Sequence, residues 1–370
     1  MEKIAHMTSV HTPFDTRIFH KECKSLRKAG YEVVLIVPHD KDEIVEGIKI
    51  KAVPQAKTII RRFFSTVYKV YRTAIKEDAA LYHFHDPELL FFGWMLKMRG
   101  KKVIYDAHEN FRLHMLNKRW IPSFSRPILS VFLGMLEDFV VSRIDGVVAA
   151  SPFVAQNFPA SKTTIIEYYP DKQELAVEDH TPYLERENIV IWTGRTSKQR
   201  GAVEMVKAIE LIPDSLKAEL RIVGLVSPLE LVGQLEAYPG WEHVHYTGWV
   251  EYNQVKAELS KAKVGLCVVH PNPNNYEGHP RKLFEYMGAG LPVIASNFPK
   301  WKELIESINC GLTVDPFDSK ALSDAITWLL ENPGEAKKMG ERGREAVMNW
   351  YNWENESVKL GLMYRELLQS

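Results

Sequence analysis

The amino-acid sequence predicts an α/β protein of two doubly wound domains. Three observations carry the prediction. At 370 residues the chain is too long for one typical core. Two series of short apolar runs alternate with amphipathic segments, the pattern of parallel strands joined by right-handed helical crossovers. Between the series lies a polar, acidic and poorly periodic stretch, residues 168–182, which reads as a linker.

The first series opens with strands at residues 3–7 and 32–37. They flank an amphipathic helix at 18–29 that stops at Gly30, a natural helix terminator. Buried strands follow at 80–84, 102–105 and 146–150. The second series places strands at 189–193, 219–223, 243–247, 264–269 and 291–295, with a helix at 202–211. The expected domains are residues 1–180 and 186–350, and a final amphipathic helix over 352–370 is expected to pack back on the first. Ligands of such sheets bind beyond the carboxyl ends of the strands, so the loops after strands are where chemistry is sought.

Composition excludes several classes. No apolar run approaches the ~20 residues needed to span a bilayer. The N-terminus enters a strand at once and lacks signal-peptide anatomy. Cys23, Cys267 and Cys310 are odd in number and sit in apolar or helical contexts, as reduced core thiols of a cytoplasmic protein do. Net charge is zero but uneven. Residues 1–150 hold 24 basic against 17 acidic side chains, and residues 151–370 hold 23 against 30. Basic and aromatic residues interleave over 57–72 and 111–127. This pattern suits peripheral contact with an anionic membrane at its inner face, or a solvated helix whose aromatic side enters the core. No nucleic-acid motif accompanies it, and no nucleic-acid partner is expected.

The chemistry concentrates in the second half. Glu277 and Glu285 lie eight residues apart, the first in a loop and the second on a helix opening near Arg281. Two carboxylates beside a helix start suit neutral hydroxyls next to a bound phosphate, as in a nucleotide-activated sugar. After the strand at 189–193 comes Gly194-Arg195, four residues, then Arg200-Gly201. Two arginines on one strand-loop-helix can converge on a diphosphate. His83 and His85 share a strand face and, with Asp86, offer metal-ligand atoms. A third ligand at suitable spacing is not evident, so no metal site is expected. No Gly-x-Gly-x-x-Gly follows a strand, which disfavours a dinucleotide dehydrogenase.

These motifs resemble those of the retaining nucleotide-sugar glycosyltransferases of family 4, in a bacterial polysaccharide-type subgroup. The resemblance rests on Gly194-Arg195…Arg200-Gly201, on the Glu277/Glu285 pair with the Ala289-Gly-Leu-Pro-Val-Ile-Ala-Ser296 run, and on Ile222-Val-Gly224, Tyr246-Thr-Gly-Trp-Val250 and Cys310-Gly-Leu-Thr-Val-Asp-Pro316. In the first half it rests on His11-Thr-Pro-Phe-Asp-Thr-Arg17, His83-Phe-His-Asp86 and Tyr105-Asp-Ala-His-Glu109. Two departures stand out. Arg200 replaces the usual lysine, and Ser9-Val-His-Thr-Pro replaces a glycine-rich loop that supplies donor-phosphate contacts in many relatives.

The resemblance implies the GT-B fold, two facing Rossmann-like domains with an interdomain cleft. It implies a UDP- or GDP-sugar donor, a glycan or lipid-linked acceptor, and no cofactor or metal. Arg195 and Arg200 would hold the diphosphate, Glu277 the donor-sugar hydroxyls and Glu285 the ribose. Gly194, Gly278, His279, Lys282 and Leu283 would line the donor, with Trp249 and Val250 beside the base. His108 would face the donor sugar. His11, Asp15, Arg17, His85 and Asp86 are acceptor-side candidates, and Asp15 has a second reading as a helix N-cap beside a solvated Arg17. A nucleotide-sugar epimerase and a non-catalytic nucleotide-sugar binding subunit are the alternatives. Donor alone yielding an altered nucleotide-sugar would favour the first, and absence of transfer or donor hydrolysis the second.

Overall fold

A computed structural model describes residues 1–56, 58, 62–116, 122–175 and 181–370. The chain divides into two compact units, Met1–Tyr168 with Trp353–Ser370, and Tyr169–Asn352. The boundary thus falls twelve residues before the expected one at 180. Tyr169 and Leu175 are buried in the second core, so the start of the linker belongs to the second unit by packing.

The first unit is an eight-stranded sheet. Its strands are β1 (Lys3–Met7), β2 (Glu32–Pro38), β3 (Glu43–Val45), β4 (Ile48–Val53), β5 (Leu81–Phe84), β6 (Lys102–Ala107), β7 (Gly146–Ala149) and β8 (Thr163–Ile165). They run in the order β3-β4-β2-β1-β5-β6-β7-β8, all pairs parallel except β3 with β4. The helices Val67–Glu77, Leu90–Met98 and Arg126–Val141 contribute to one core, around Tyr71, Phe84 and Tyr105. The segment Ile18–Lys28 and the C-terminal helix Trp353–Gln369 contribute to a second, around Phe19, Trp353 and Tyr364. Residues 18–29, expected as one α-helix, begin as a wide π-helical segment, Ile18–Cys23, before tightening to α at Lys24–Lys28. The three-residue strands β3 and β8 lie at the sheet edges, and β4, between β3 and β2, alternates apolar and lysine residues, so none carries an unbroken apolar run. Periodicity therefore did not mark them.

The second unit is a six-stranded parallel sheet. It comprises β9 (Ile189–Thr193), β10 (Glu219–Val223), β11 (Val244–Gly248), β12 (Val264–Cys267), β13 (Val293–Ser296) and β14 (Gly311–Val314), ordered β11-β10-β9-β12-β13-β14. Ala202–Glu210 packs against Ser319–Glu331, and Arg281–Gly288 against Pro333–Asn349. Cys23, Cys267 and Cys310 are all buried free thiols.

Strand order reverses beside β1 in the first unit, between β2 and β5, and beside β9 in the second, between β10 and β12. At such a switch point adjacent loops leave in opposite directions and open a crevice at the carboxyl ends of the strands. Both groups of candidate residues sit there.

Candidate functional site

In the second unit, Gly194 follows β9 with φ of +83° and Gly201 ends the turn Lys198–Arg200 with φ of +66°. A Cβ on Gly201 would lie 2.6 Å from the Val268 carbonyl oxygen, so only glycine lets this turn lie against the loop after β12. The turn and the start of Arg281–Gly288 wall a cavity of about 550 Å³. Gly194, Arg200, Arg281, Lys282 and Glu285 line it. The helix is held close to the sheet by Tyr286, whose hydroxyl accepts the Thr193 N–H at 2.9 Å, and by Gly265, where any Cβ would strike the Tyr286 ring.

The electrostatics of this cavity are lopsided. Arg200 donates to the Arg195 carbonyl at 2.8 Å. Burial and then the neighbouring Arg195 charge hold its guanidinium below the usual arginine range. Lys282 Nζ stands 4.2 Å from the centre of the Trp192 ring. Burial lowers its ammonium to about 8, with Cys267 and Glu285 opposing and Arg200 adding to the fall. Glu285 is already engaged, since its Oε1 accepts from Arg281 Nε at 2.7 Å and Arg281 also pairs with Glu174 at 2.9 Å. Among the described residues, no carboxylate forms an ion pair with Arg195, Arg200 or Lys282. Cations gathered without counter-ions are the condition an anionic ligand relieves.

Several expected contacts lie outside this cavity. Glu277 ends the short helix Pro273–Glu277 and is bound to Lys300 Nζ at 2.7 Å. The Gly278 carbonyl accepts the Trp301 indole N–H at 2.7 Å, and His279 Nε2 lies 3.3 Å from the Lys300 carbonyl. These three residues are thereby tied to the start of Pro299–Ile308. Trp249 is exposed, and Val250 is half-buried against the second unit's core. Leu283 is fully buried and serves packing, a correction to its expected place along the donor. Reading by motif missed Trp192, Tyr252, Asn272 and Asn275, which also line the cavity. The turn-rich run from Pro271 to Asn275, directly after a buried strand, was the available signal for the two asparagines.

In the first unit, His11, His85, Asp86 and His108 line a cavity of about 730 Å³ that Phe91, Met115 and Leu133 also line. His11 and His108 have ring centres 5.3 Å apart. His11 Nδ1 is 3.2 Å from Asp15 Oδ2. Burial works against a charged imidazole there, but the Asp15 hydrogen bond and the nearby Asp86 raise it above the ordinary value. Asp15 Oδ1 also accepts the N–H groups of Arg17 at 2.8 Å and Ile18 at 2.9 Å, so it caps the helical segment.

One acceptor-side expectation needs correction. Arg17 is neither solvated nor turned toward a ligand. It is 6% exposed and bound to Glu22 at 3.0 Å and Asp106 at 3.1 Å. Asp86 is buried and uses one oxygen to accept from Thr8 Oγ1 at 2.8 Å and the Ser9 N–H at 2.6 Å, which pins the loop after β1. His85, also buried, reaches Asp106 Oδ2 through Nδ1 at 3.1 Å, and His108 Nε2 reaches the same oxygen at 3.3 Å.

The basic stretches also read differently. Lys57, Arg61, Lys118, Arg119 and Trp120 lie outside the described residues. Arg62 is held by Glu88 at 3.0 Å. Tyr68, Leu116 and Phe124 in these stretches are exposed, and exposed apolar side chains continue on Arg126–Val141 at Ile128, Val131, Phe132 and Met135. No helix of the described residues is long and apolar enough to cross a membrane.

Comparisons with known proteins bear on both units. Residues 3–163 match the family described as Glycosyltransferase Family 4, and residues 178–346 the family described as Glycosyl transferases group 1. The chain is 27% identical over 300 residues to a D-rhamnosyltransferase of Pseudomonas aeruginosa, covering 77% of this chain and 72% of that one. It is 23% identical over 362 residues to a phosphatidyl-myo-inositol mannosyltransferase of Mycobacterium leprae, covering 93% and 91%. Among solved structures, sucrose-phosphate synthase from Thermosynechococcus elongatus superimposes with a TM-score of 0.77 at 21% identity over the whole of both chains.

Proposed function

The chain belongs to the family 4 glycosyltransferases and has their GT-B fold, and on that premise we propose that it transfers a sugar, with retention of configuration, from a UDP- or GDP-sugar to a hydroxyl of a glycan or lipid-linked acceptor in cell-surface polysaccharide synthesis. One observation carries the donor half of this reading. Arg200 and Lys282 line the cavity at the second unit's switch point, Arg195 is exposed on the loop beside it, and no carboxylate stands in ion-pair distance of the three among the described residues.

In the proposed reaction the bond between the sugar's anomeric carbon and the diphosphate oxygen breaks. Negative charge then accumulates on the departing diphosphate. Fixed cations stabilise that charge more than the ground state and lower the barrier without a metal at the diphosphate. Glu285, oriented by Arg281, accepts hydrogen bonds from the ribose hydroxyls. Glu277 takes the donor-sugar hydroxyls once the ligand displaces Lys300 from its carboxylate. No side chain is assigned as nucleophile. The acceptor hydroxyl attacks the face the diphosphate leaves, and the departing phosphate oxygen takes its proton.

His11 in the first unit's cavity serves the acceptor side, His108 beside it faces the donor sugar, and the apolar residues of that cavity suit a lipid-linked acceptor. The similarity to a phosphatidyl-myo-inositol mannosyltransferase supports an acceptor of that class. Peripheral membrane contact is assigned to the exposed face of Arg126–Val141, whose apolar residues Ile128, Val131, Phe132 and Met135 recur at helical spacing.

Thermal-shift measurements against UDP, GDP, ADP and their sugars test the donor. A ligand at ~100 Kd stabilises the fold by ~2.7 kcal/mol. Stabilisation by one nucleotide pair, lost in Arg200→Ala, is expected. Stabilisation by none of them would refute the donor assignment, and the anomeric configuration of the product by NMR decides retention.

A further inference from the structure

Four side chains the proposed reaction does not use meet at one fully buried point of the first unit. His6 comes from β1, His83 and His85 from the end of β5, and Glu22 from Ile18–Cys23; none is more than 2% exposed. His6 Nδ1 and His85 Nε2 are 2.9 Å apart, and Glu22 Oε2 is 3.9 Å from each. One donor atom from each of the four residues lies within 4.8 Å of all the others. Metal–ligand bonds of about 2.0–2.2 Å in a tetrahedron place ligand atoms roughly 3.4 Å apart. The observed separations straddle that value.

Two of these atoms are orphans. Glu22 Oε2 and the Nε2 of His83 are buried and have no hydrogen-bond partner among the described residues. A buried unpartnered carboxylate oxygen and ring nitrogen each carry a desolvation penalty that nothing nearby offsets. The opposite atom of every ligand, by contrast, is anchored. His83 Nδ1 and His6 Nε2 reach the Tyr364 hydroxyl at 2.7 and 3.1 Å, and His85 Nδ1 reaches Asp106 at 3.1 Å. Glu22 Oε1 accepts from Arg17 at 3.0 Å. With protons on the outer nitrogens, the tyrosine oxygen's two lone pairs accept from His6 and His83, and the carboxylate accepts from His85. In the metal-free chain His6 Nδ1 and His85 Nε2 face each other as a hydrogen-bonded pair, and an ion would take the place of the proton between them. Ligand imidazoles held from behind by a carboxylate or other oxygen are the usual outer shell of a metal site. Two carboxylates, Glu22 and Asp106, face one guanidinium, Arg17.

We propose that His6, His83, His85 and Glu22 form a structural site for a divalent transition-metal ion, with zinc the best match to three imidazoles and one carboxylate. Four protein ligands leave no open position, which is the character of a structural site and not of a catalytic one. The ion ties β1, β5 and Ile18–Cys23 together and, through Tyr364, holds the C-terminal helix Trp353–Gln369 to the sheet. This site is separate from the donor cavity in the other unit and does not depend on the proposed reaction.

The test uses the untagged full chain. After desalting, elemental analysis is expected to find about one zinc per chain. Protein stripped by chelator and titrated with Co2+ is expected to develop the visible bands of a tetrahedral nitrogen–oxygen site. Stripping lowers its thermal midpoint. Glu22→Gln and His83→Gln are each expected to weaken Co2+ binding by about tenfold or more, whereas His243→Ala, on the other unit, leaves it unchanged. Glu22→Gln keeps the shape of the side chain and carries the comparison if His83→Gln does not fold. If neither folds, the wild-type stoichiometry and Co2+ spectrum decide. Wild-type protein that neither retains zinc nor develops the Co2+ bands overturns the proposal. Wild-type metal content in both substituted proteins overturns it as well.

Discussion

Lys282 gives the donor site a pH dependence whose size follows from its surroundings. Its ammonium is half-buried against Trp192 and lowered to about 8 in the unliganded protein. A bound diphosphate supplies the missing counter-charge and returns the group toward the ordinary lysine value of ~10.4. Binding above pH 8 must therefore take up a proton, and affinity falls as pH rises. The linkage makes the dissociation constant grow by a factor of about 1 + 10^(pH − 8). That is roughly tenfold between pH 7 and pH 9, or ~1.4 kcal/mol. Isothermal titration of the preferred nucleoside diphosphate across that range measures it, with buffers of different ionisation heat reporting the proton uptake. The pH dependence is expected to vanish in Lys282→Met, which binds weakly throughout. In the absence of ligand the same shift acts on stability with a definite sign. The unfolded chain binds the extra proton between about 8 and 10.4, so this group's contribution to stability rises with pH over that window. An affinity flat from pH 7 to 9, or an equal slope in Lys282→Met, would refute the placement of Lys282 against the diphosphate.

Other outcomes are as concrete. Arg200→Ala is expected to lower kcat by about 10²–10³ while the circular dichroism spectrum stays unchanged, because it removes a cation aimed at developing charge. Gly201→Ala forces a Cβ into the Val268 carbonyl at positive φ and is expected to cost at least about 1–2 kcal/mol in urea unfolding. Arg17→Met strands the buried Glu22 and Asp106 carboxylates and is expected to destabilise the chain by about 3–5 kcal/mol. Replacing Ile128, Phe132 and Met135 together with serine is expected to abolish sedimentation with anionic vesicles and leave the thermal midpoint nearly unchanged, since all three are exposed.

The sequence by itself was enough for the alternation of strands and helices in both halves, since buried parallel strands read as unbroken apolar runs bounded by turn residues. Ile189–Thr193 and Glu219–Val223 appear at the predicted residues. It also sufficed for the Arg195/Arg200 turn and the helix carrying Glu285, because both are local: a strand, a glycine and a helix start within about a dozen residues place their own side chains. What depended on contacts distant in sequence was decided only by the tertiary structure. Arg17 reads as a solvated loop residue until β6 brings Asp106 against it, 89 positions along the chain. His83 and His85 lack a further ligand until β1 delivers His6 and the helical segment delivers Glu22. Strand order decides such meetings, and strand order follows from which apolar faces are covered by which helices. One-dimensional periodicity carries each face separately and not their pairing, so the cluster on β1 and β5 emerges only when the sheet is assembled.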